Sequence, residues 1–245
     1  MQTVKITYLY NSGFAVELSE HFLVFDYYMD HVDTGRRGMA GGVLTARDFP
    51  ADKQVLVFVS HRHADHYNSV IFKWRRFLGD RVHYILSSDV PVREKALRLE
   101  PYQAQQVAGA MVSTFGSTDE GVSFFVEVEG VRIFHAGDFN LWHWQEESTV
   151  AEVNAAKRAF LQEMEKLKSS ISALDIAFFP VDPRQGRGFE AGARHFMRVM
   201  QPKVLVPMHF GEQVDAVQRF VAAAPAAHTR IFRIGARGDE LQVNL

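Results

Sequence analysis

VLVFVSHRHADH, residues 55–66, is the stretch of sequence that decides the fold. Its first five residues are apolar and predict a buried β-strand that ends just before the histidines. Side chains two residues apart on an extended backbone point the same way, so His61 and His63 share one side of the strand end. Asp65 and His66 follow where the chain turns and approach from another angle. Imidazole and carboxylate groups suit zinc, iron or manganese, so the stretch predicts a hydrolytic metal centre.

A histidine-rich surface loop is the alternative interpretation of residues 60–66. Three of the 11 histidines in the chain fall within six positions, beside an aspartate and just after an apolar strand. This concentration favours a metal site over an accidental cluster.

Length and composition predict a single domain over residues 1–245, because no linker-like or low-complexity tract interrupts the 245-residue chain. The lack of cysteine excludes disulfides, thiolate nucleophiles and cysteine-based zinc sites. A net charge of -2 gives no general attraction to nucleic acid. The N-terminal residues have no signal-peptide pattern, and no apolar run is long enough for a membrane span. We therefore expect a soluble cytoplasmic protein.

The order of the elements predicts an α/β (α+β) chain, rich in strands first and alternating strands with helices later. The predicted strands cover residues 4–10, 14–18, 22–26, 55–59, 84–86, 122–128, 131–134, 176–179, 204–206 and 241–243. The first three predict an antiparallel meander. The predicted helices cover residues 69–77, 146–168, 189–200 and 214–223. These helices are enough to cover two sheets.

Two further strand ends carry candidate metal ligands. Asp138 ends the strand that begins at Ile133, and His209 ends the strand that begins at Val204. Taken alone, each has an ordinary interpretation, an aspartate in a turn and a packed histidine. Together with residues 61–66 they favour donors that converge on one rim of a sheet sandwich.

At these positions the chain resembles the metallo-β-lactamase superfamily. The matching pieces, in the order of the family, are HxHxDH at residues 61–66, Gly137-Asp138 and His209. Asp26, after an early strand, is similar to another family feature. The resemblance implies a four-layer αββα sandwich of two mixed sheets flanked by helices, with a binuclear metal centre. The segment 134–138 is most similar to the branch of ascorbate-6-phosphate lactonase-like hydrolases.

The resemblance also implies a division of the metal ligands. His61 and His63 would bind the first ion, while Asp138 would bridge both. The ligands implied for the second ion are Asp65, His66 and His209. The cofactors implied are two divalent ions, zinc in the first place, with manganese or iron as alternatives.

One turn departs from the family pattern. Many members carry a histidine in a Gly-His-Thr turn, where this chain has Gly116-Ser117-Thr118. A serine hydroxyl is a poor zinc ligand, so the first ion would lose a donor. His143 is a candidate replacement, and its alternative is packing between two tryptophans. His135 is expected to orient a ligand rather than to bind the metal.

The expected function is a metal-dependent hydrolase in which a metal-bound hydroxide attacks a small anionic ester, lactone or phosphodiester. Asp65 would be both ligand and catalytic residue, holding the proton of the attacking water. Arg184 is a candidate substrate-binding residue, because guanidinium groups bind phosphate and carboxylate, and Ser117 is a second candidate. Arg36 and Arg37, in a glycine-rich loop over residues 30–50, could act like Arg184. The alternative interpretation of each arginine is a charged side chain in a loop that contacts only solvent.

Other predictions concern the pocket, the partners and competing functions. The aromatic residues that could line a pocket are Tyr27, Tyr28, Phe139, Trp142 and Trp144, although aromatics at such spacings are more often core. Exposed aromatic side chains would allow a homo-oligomer. The competing functions are an iron-dependent redox enzyme of the same fold and a metal-binding protein without catalysis, the latter because of Ser117.

Overall fold

The computed structural model describes residues 2–32, 35–36, 38–92, 94–223 and 228–245. The strands of its first half are β1 Thr3–Tyr10, β2 Gly13–Glu17, β3 His21–Phe25, β4 Gln54–Val59, β5 Val82–Ser87, β6 Leu97–Leu99 and β7 Ala104–Val107. Those of its second half are β8 Ala110–Phe115, β9 Ser123–Val128, β10 Val131–His135, β11 Ile176–Pro180, β12 Val204–Met208, β13 Arg230–Ile231 and β14 Glu240–Asn244. The α-helices are α1 Arg75–Leu78, α2 Val150–Ser170, α3 Ala191–Met200 and α4 Val214–Ala223.

Two mixed sheets of seven strands each organise the described chain. The first has the order β14-β1-β2-β3-β4-β5-β6, and the second β13-β12-β11-β10-β9-β8-β7. The expected meander is present, since β1, β2 and β3 pair antiparallel. From β3 to β5 and from β10 to β12 the pairing is parallel. Parallel neighbours bring their carboxyl ends to the same edge of a sheet, which is where candidate ligands follow β4, β10 and β12.

Alternating side chains on each strand build the layers. On β4, Leu56 and Phe58 belong to the core between the sheets, whereas Val55, Val57 and Val59 belong to the core under the outer helices. Across the sheets, Phe58 and Phe124 have ring centroids 5.2 Å apart. Burying one such side chain stabilises the fold by about 1.5–3 kcal/mol. Because these side chains pack between the sheets, they hold the two ligand-bearing edges at a fixed distance from each other.

The helices cover the outer faces of both sheets, as the αββα arrangement requires. Ile71, in the short 3-10 helix before α1, and Leu78, in α1, pack on the first sheet. The buried residues of α2, α3 and α4 pack on the second sheet. None of the helices in the described part of the chain combines the length and apolar character needed to cross a membrane.

Three helices differ in their bounds from the sequence-based predictions, and the third, α3, starts at Ala191 rather than at residue 189. The first predicted helix, over residues 69–77, is a 3-10 helix from Ser69 to Trp74 that continues into α1. The second starts at Val150 rather than at residue 146. Thr149 accepts a hydrogen bond from the backbone N–H of Glu152, and the Glu152 carboxylate accepts one from the backbone of Thr149. This capping box fixes the true start of α2.

Candidate metal centre

Asp138 is the point at which donors from three separate segments meet. Its Oδ1 lies 3.1 Å from Nε2 of His66 and 3.2 Å from Nε2 of His209, while its Oδ2 lies 3.4 Å from Nε2 of His61. These residues follow β4, β10 and β12, so the structure brings together residues that lie up to about 150 positions apart. The geometry is the one expected for a carboxylate that bridges two sets of imidazoles.

The remaining predicted ligands flank this point on both sides. Oδ2 of Asp65 lies 3.5 Å from Nε2 of His209 and 3.7 Å from Nε2 of His66. On the other side, Nδ1 of His63 lies 3.0 Å from Nε2 of His61. The donor atoms fall into overlapping groups whose members all lie within 4.8 Å of one another. These groups are His61 with His66 and Asp138, Asp65 with His66 and His209, and His63 with Asp119 and Asp138.

Buried polar atoms show that the residues fit a metal. Oδ1 of Asp138 and the Nε2 atoms of His66 and His209 are buried, and although Oδ1 lies 3.1–3.2 Å from both nitrogens, none of the three atoms makes a hydrogen bond of good geometry among the described residues. Leaving such atoms unsatisfied costs about 1–3 kcal/mol each. Imidazole nitrogen and carboxylate oxygen are the donors that zinc and iron prefer, so a cation placed among them would satisfy all three.

The carboxylates at the centre carry the negative charge that cation binding needs. Burial opposes ionisation of Asp138, but the neighbouring His66 and His209 outweigh it and hold its pKa well below the usual range. Burial likewise disfavours a charged His209, yet Asp138, Asp182 and Asp65 raise its pKa to about 9. Burial and the nearby His66 lower the pKa of His61 to about 4, so its ring is neutral at pH 7. The carboxylates therefore stabilise a positive charge at this point, which is the proton of His209 when no metal is bound.

Asp26 orients one of the histidines rather than joining the donor groups. Its Oδ2 accepts a hydrogen bond from Nδ1 of His66 at 2.8 Å, which directs Nε2 of that ring towards Asp138. Its Oδ1 accepts the backbone N–H of Ser60 at 2.7 Å. Asp26 directly follows β3 and has a left-handed backbone with φ 42°, a conformation uncommon outside glycine. The early aspartate thus fixes the start of the histidine-bearing turn.

His135 supports the turn that carries Asp138, in agreement with the orienting role expected for it. Its Nδ1 accepts the backbone N–H of Gly137 at 3.2 Å, and its Nε2 lies 2.9 Å from the carbonyl oxygen of Ser12. Gly137 has φ 54°, and a Cβ there would meet the Cβ of Ser60 at 2.7 Å. Only glycine allows the Asp138 turn to approach the turn after β4 so closely.

His143 does not occupy the position proposed for it. It is buried, its Nε2 lies 3.0 Å from the carbonyl oxygen of Gly188, and its backbone N–H donates to the Gln185 side chain. His143 belongs to none of the three donor groups found among the described residues. The chain bends between Asp138 and His143, which turns the imidazole towards the loop before α3. The structure therefore does not bring His143 together with the other donors, and its role as a ligand stays a prediction.

Ser117 is also not a donor in these groups. Its hydroxyl accepts a hydrogen bond from the backbone N–H of Asp119 at 3.2 Å. Asp119, two residues further on, is the residue of this turn whose carboxylate reaches His63 and Asp138. The sequence argument missed it because only the position of the expected imidazole was considered. An acidic side chain in the same short turn was the available signal.

Asp182 was likewise missed as a site residue. Its Oδ2 lies 3.0 Å from Nδ1 of His209 and also accepts from Arg184. Asp182 follows β11, the parallel neighbour of the strand that carries His209, and this placement could have indicated it. Burial disfavours the charged carboxylate, but bonds from His209 and Arg184 hold its pKa below the usual value.

An open cavity of about 320 Å³ adjoins the donor groups. It is lined by His63, Asp65, Thr118, Asp119, Asp138, Trp142, Trp144, Asp182, Arg184 and His209. Trp142 and Trp144 stack with ring centroids 6.3 Å apart and form one wall, and Nε1 of Trp142 donates to the carbonyl oxygen of Asp138. The Arg184 side chain is about half exposed at the rim (52%), so its guanidinium faces arriving molecules.

The other aromatic and basic candidates lie elsewhere. Tyr27 packs on Trp74, and Phe139 on Phe160, so both are core residues. Tyr28 packs against Tyr10. Arg36 lines a separate cavity of about 410 Å³, together with Glu212 and Arg237 among others. Arg37 lies outside the described residues.

The architecture and the donor set define a metal-binding αββα sandwich. The sequence model for the beta-lactamase superfamily domain matches residues 5–153, more than half of the chain. The chain therefore belongs to the beta-lactamase superfamily, as the resemblance at residues 61–66 indicated.

Two similar curated proteins are archaeal and match over most of their length. A UPF0173 metal-dependent hydrolase of Thermococcus onnurineus is 20% identical over 220 residues, which cover 84% of each chain. A UPF0173 metal-dependent hydrolase of Pyrococcus furiosus is 21% identical over 221 residues, again 84% of each.

Two solved structures show how widely the fold is shared. Igni18, a metallo hydrolase from the archaeon Ignicoccus hospitalis, superimposes with a TM-score of 0.67 at 17% identity, covering 99% of both chains. CmlA, a diiron β-hydroxylase from Streptomyces venezuelae, gives a TM-score of 0.62 at 11% identity, covering 100% of this chain and 54% of CmlA. At such identities the likeness demonstrates the fold alone.

Proposed function

We propose that this chain is a hydrolase that uses two divalent cations to cleave a small anionic ester, lactone or phosphodiester. The observation that carries the proposal is the convergence of unpartnered Oδ1 of Asp138 with Nε2 of His66 and His209. Burying three polar atoms together without good hydrogen bonds destabilises the folded state, and a bound cation would offset that cost. The names of the two archaeal relatives support the same reaction class.

The ligands would divide between two ions that share Asp138. His61 and His63 would hold one ion, and the other would be held by Asp65, His66 and His209. When bound, two divalent cations lower the pKa of a coordinated water to about 7 and polarise a carbonyl or phosphoryl oxygen. Zinc is the first expectation, with manganese and iron as alternatives.

Asp65 is the residue best placed to handle a proton. Its carboxylate is partly exposed, lines the cavity and lies on the open side of the donor groups. Burial raises its pKa, but His209 and His66 outweigh burial and hold the pKa well below the usual range. Asp65 is therefore ionised at neutral pH, so its carboxylate can bind a cation or accept a hydrogen bond from an attacking water. Asn11 donates to its Oδ2 at 3.4 Å and restrains the carboxylate.

Arg184 supports an anionic substrate. Its Nε and one terminal nitrogen bind the Asp182 carboxylate, which holds the side chain beside the cavity. The exposed part of the guanidinium can still donate to a phosphate or carboxylate. The wall formed by Trp142 and Trp144 would exclude water from the opposite side of a bound substrate.

Activity with and without metal tests the proposal. Protein stripped with chelator is reconstituted with Zn²⁺, Mn²⁺ or Fe²⁺ and assayed on bis(p-nitrophenyl) phosphate, p-nitrophenyl esters and lactones. We expect turnover only with metal, and His63→Ala at the background rate. The matched control is Asp215→Asn, an exposed acid of α4, which should behave like the wild type. Full activity of His63→Ala in metal-free buffer would refute the proposal.

An iron-dependent redox enzyme is the second candidate. The carboxylate of Asp119 beside His63 and Asp138 makes one side of the centre rich in oxygen donors, and two histidines with carboxylates suit non-haem iron. The fold shared with a diiron β-hydroxylase is compatible with it. Oxygen consumption by iron-loaded protein, with no hydrolysis by the zinc-loaded form, would favour this candidate.

A further inference from the structure

The turn over residues 116–121 carries the residue that completes the first metal position. We infer that Asp119 is the ligand that takes the place of the imidazole missing at Ser117. The first cation would then be held by two imidazoles, His61 and His63, and two carboxylates, Asp119 and Asp138. This inference rests on the proposed metal centre and adds to it the identity of the missing donor.

Distance supports Asp119 as a donor. Donor atoms of His63, Asp119 and Asp138 all lie within 4.8 Å of one another. A tetrahedral cation with bonds of about 2.0–2.2 Å holds its donors about 3.5 Å apart, so binding needs movements of up to about an ångström, which rotation of the exposed Asp119 side chain can supply. Asp119 lines the same cavity as both partners, and Oδ2 of the buried Asp138 carboxylate lies 3.4 Å from Nε2 of His61, on the side of the first metal position.

The start of the turn is anchored to the second sheet and its helices. The backbone N–H of Gly116 donates to the buried carboxylate of Glu163 on α2 at 2.9 Å. The hydroxyl of Thr118 accepts the backbone N–H of Asn140 at 2.9 Å and donates to the carbonyl oxygen of the same residue. Asn140 lies two residues after Asp138, so these bonds tie Asp119 to the segment of the bridging carboxylate.

The end of the turn is anchored to the histidine-bearing segment. The backbone N–H of Val122 donates to the carbonyl oxygen of Ser60 at 3.0 Å. Gly121 has φ 72°, and a Cβ there would lie 2.0 Å from that same oxygen and 2.5 Å from the Cβ of His61. Glycine is therefore required for the turn to approach His61, and Asp119 is held beside the first metal position from both directions.

Ser117 explains how Asp119 is aimed. The Ser117 hydroxyl accepts the backbone N–H of Asp119, a local bond typical of serine in turns. Ser117, which stands where the family has a histidine, thus fixes the backbone of Asp119. Asp119 is the residue that would bind the metal in place of that histidine. A hydroxyl would contribute little as a direct zinc ligand.

Glu120 is the competing carboxylate and has a different relationship to the site. Its Oε2 lies 3.4 Å from Nε2 of His63 and 3.4 Å from Nε of Arg62. The other ring nitrogen of His63, Nδ1, is the one that faces His61. Glu120 therefore lies behind the ring of His63 and orients it, while Asp119 lies with the donors.

A third carboxylate changes the charge and the preference of the centre. Asp65, Asp119 and Asp138 together leave one positive charge uncompensated when two divalent cations bind, whereas Asp65 and Asp138 alone would leave two. Replacing an imidazole by a carboxylate also shifts selectivity towards cations that prefer oxygen donors, such as Mn²⁺. The first position should therefore discriminate less strongly for Zn²⁺ than a three-histidine site.

Metal titration of the chelator-treated full chain tests the inference, with Zn²⁺ and Mn²⁺ as probes and calorimetry with elemental analysis as readouts. We expect two equivalents for the wild type. Asp119→Asn should weaken one of them by roughly 100-fold or more, beyond the effect of an outer-shell change, and leave the other. Asp119→His should restore tight Zn²⁺ binding and lose Mn²⁺ affinity relative to Zn²⁺. Because Asp119 is exposed, circular dichroism should show both variants folded.

Matched variants separate the outcomes. Asp52→Asn, an exposed aspartate in the turn before β4, should bind two equivalents like the wild type, and Glu120→Gln should cost less affinity than Asp119→Asn. Wild-type affinity for both ions in Asp119→Asn would overturn the assignment of Asp119 and leave the proposed function standing. Loss of one equivalent only in Glu120→Gln would transfer the role to Glu120. A wild type that binds neither ion would remove the proposed function itself.

Discussion

Asp182 and His209 form a carboxylate–imidazole pair, with Oδ2 of Asp182 3.0 Å from Nδ1 of His209. The pair directs the opposite ring nitrogen towards Asp138 and Asp65. On the other side of the centre, Asp26 makes the same kind of contact with His66 at 2.8 Å. Both histidines proposed for the second metal position thus have their tautomer and ring orientation set by a buried acid.

Replacing the acid of this pair should weaken metal binding without unfolding the protein. Asp182→Asn keeps the shape of the side chain but removes the charge that raises the pKa of His209 and fixes its ring. We expect one equivalent of Zn²⁺ to bind about 10–100-fold more weakly, measured by calorimetric titration. Asp215→Asn serves as the control. If both equivalents of Zn²⁺ bind to Asp182→Asn as tightly as to the wild type, Asp182 does not orient His209.

Removing the metal should lower thermal stability. The apo centre keeps carboxylates and imidazoles crowded together with unsatisfied buried atoms, and cations would satisfy them. A single ion present at 100 times its dissociation constant stabilises the folded state by about 2.7 kcal/mol. For a chain of this size we expect the Tm to rise by roughly 5–10 °C in scanning calorimetry when Zn²⁺ is added to chelated protein. The same rise in a double variant that loses a ligand from each set, His63→Ala with His209→Ala, would place the stabilising ion elsewhere.

Arg184 should affect substrate binding more than turnover. Its half-exposed guanidinium lies at the rim of the cavity and belongs to none of the donor groups among the described residues. Arg184→Gln should raise KM for an anionic ester by about 10-fold or more and change kcat less, because a charge-assisted hydrogen bond contributes about 1.5–3 kcal/mol. A neutral p-nitrophenyl ester is the control substrate, and its KM should change little. Equal changes in KM for both substrates would contradict an anion-binding role.

Asp175 should make the fold sensitive to acid at a place remote from the metal centre. It is buried at the start of β11 and binds Arg132 at 3.0 Å and Lys203 at 2.9 Å. Burial raises its pKa, but the bonds from Arg132 and Lys203 outweigh burial and lower the pKa below its unfolded value. The stabilisation is therefore complete above about pH 4 and is lost as the pH falls through the folded-state pKa.

Chemical denaturation at two pH values checks the role of Asp175. At pH 7 we expect Asp175→Asn to reduce the free energy of unfolding by about 1–3 kcal/mol. Near pH 3 the difference from the wild type should shrink, because the unfolded wild-type chain binds a proton at Asp175 more readily than the folded chain does. A difference that is the same at both pH values would show that the Asp175 charge contributes nothing.

The sequence predicted the part of the centre that strand periodicity determines. Residues 61–66 follow an apolar strand, and Asp138 and His209 each follow another, so parallel pairing brings them to neighbouring edges. The alternation of apolar side chains predicted the strands and enough helices to cover two sheets, whereas the mixed pairing within a four-layer sandwich was implied by the family resemblance. The resemblance to the beta-lactamase superfamily supplied the order of the sheets, which periodicity alone does not determine.

The parts that the sequence missed depend on turns. Asp119 reaches the centre through bonds from Gly116, Thr118 and Val122 to distant segments, and none of these bonds shows in a linear pattern. His143 was given a ligand role from its proximity in sequence to Asp138, but the intervening turn directs it to Gly188. The positions of Asp119 and His143 depend on short loops that contain residues with left-handed backbone conformations. The geometry of such loops is determined by packing against distant segments.

Anomalous X-ray diffraction from crystals of the metal-loaded protein, recorded at the absorption edge of the added metal, tests the central claim most directly. We expect two peaks on opposite sides of the Asp138 carboxylate, one beside His61, His63 and Asp119 and one beside Asp65, His66 and His209. Metal peaks at other places, with none within bonding distance of Asp138, would contradict the account.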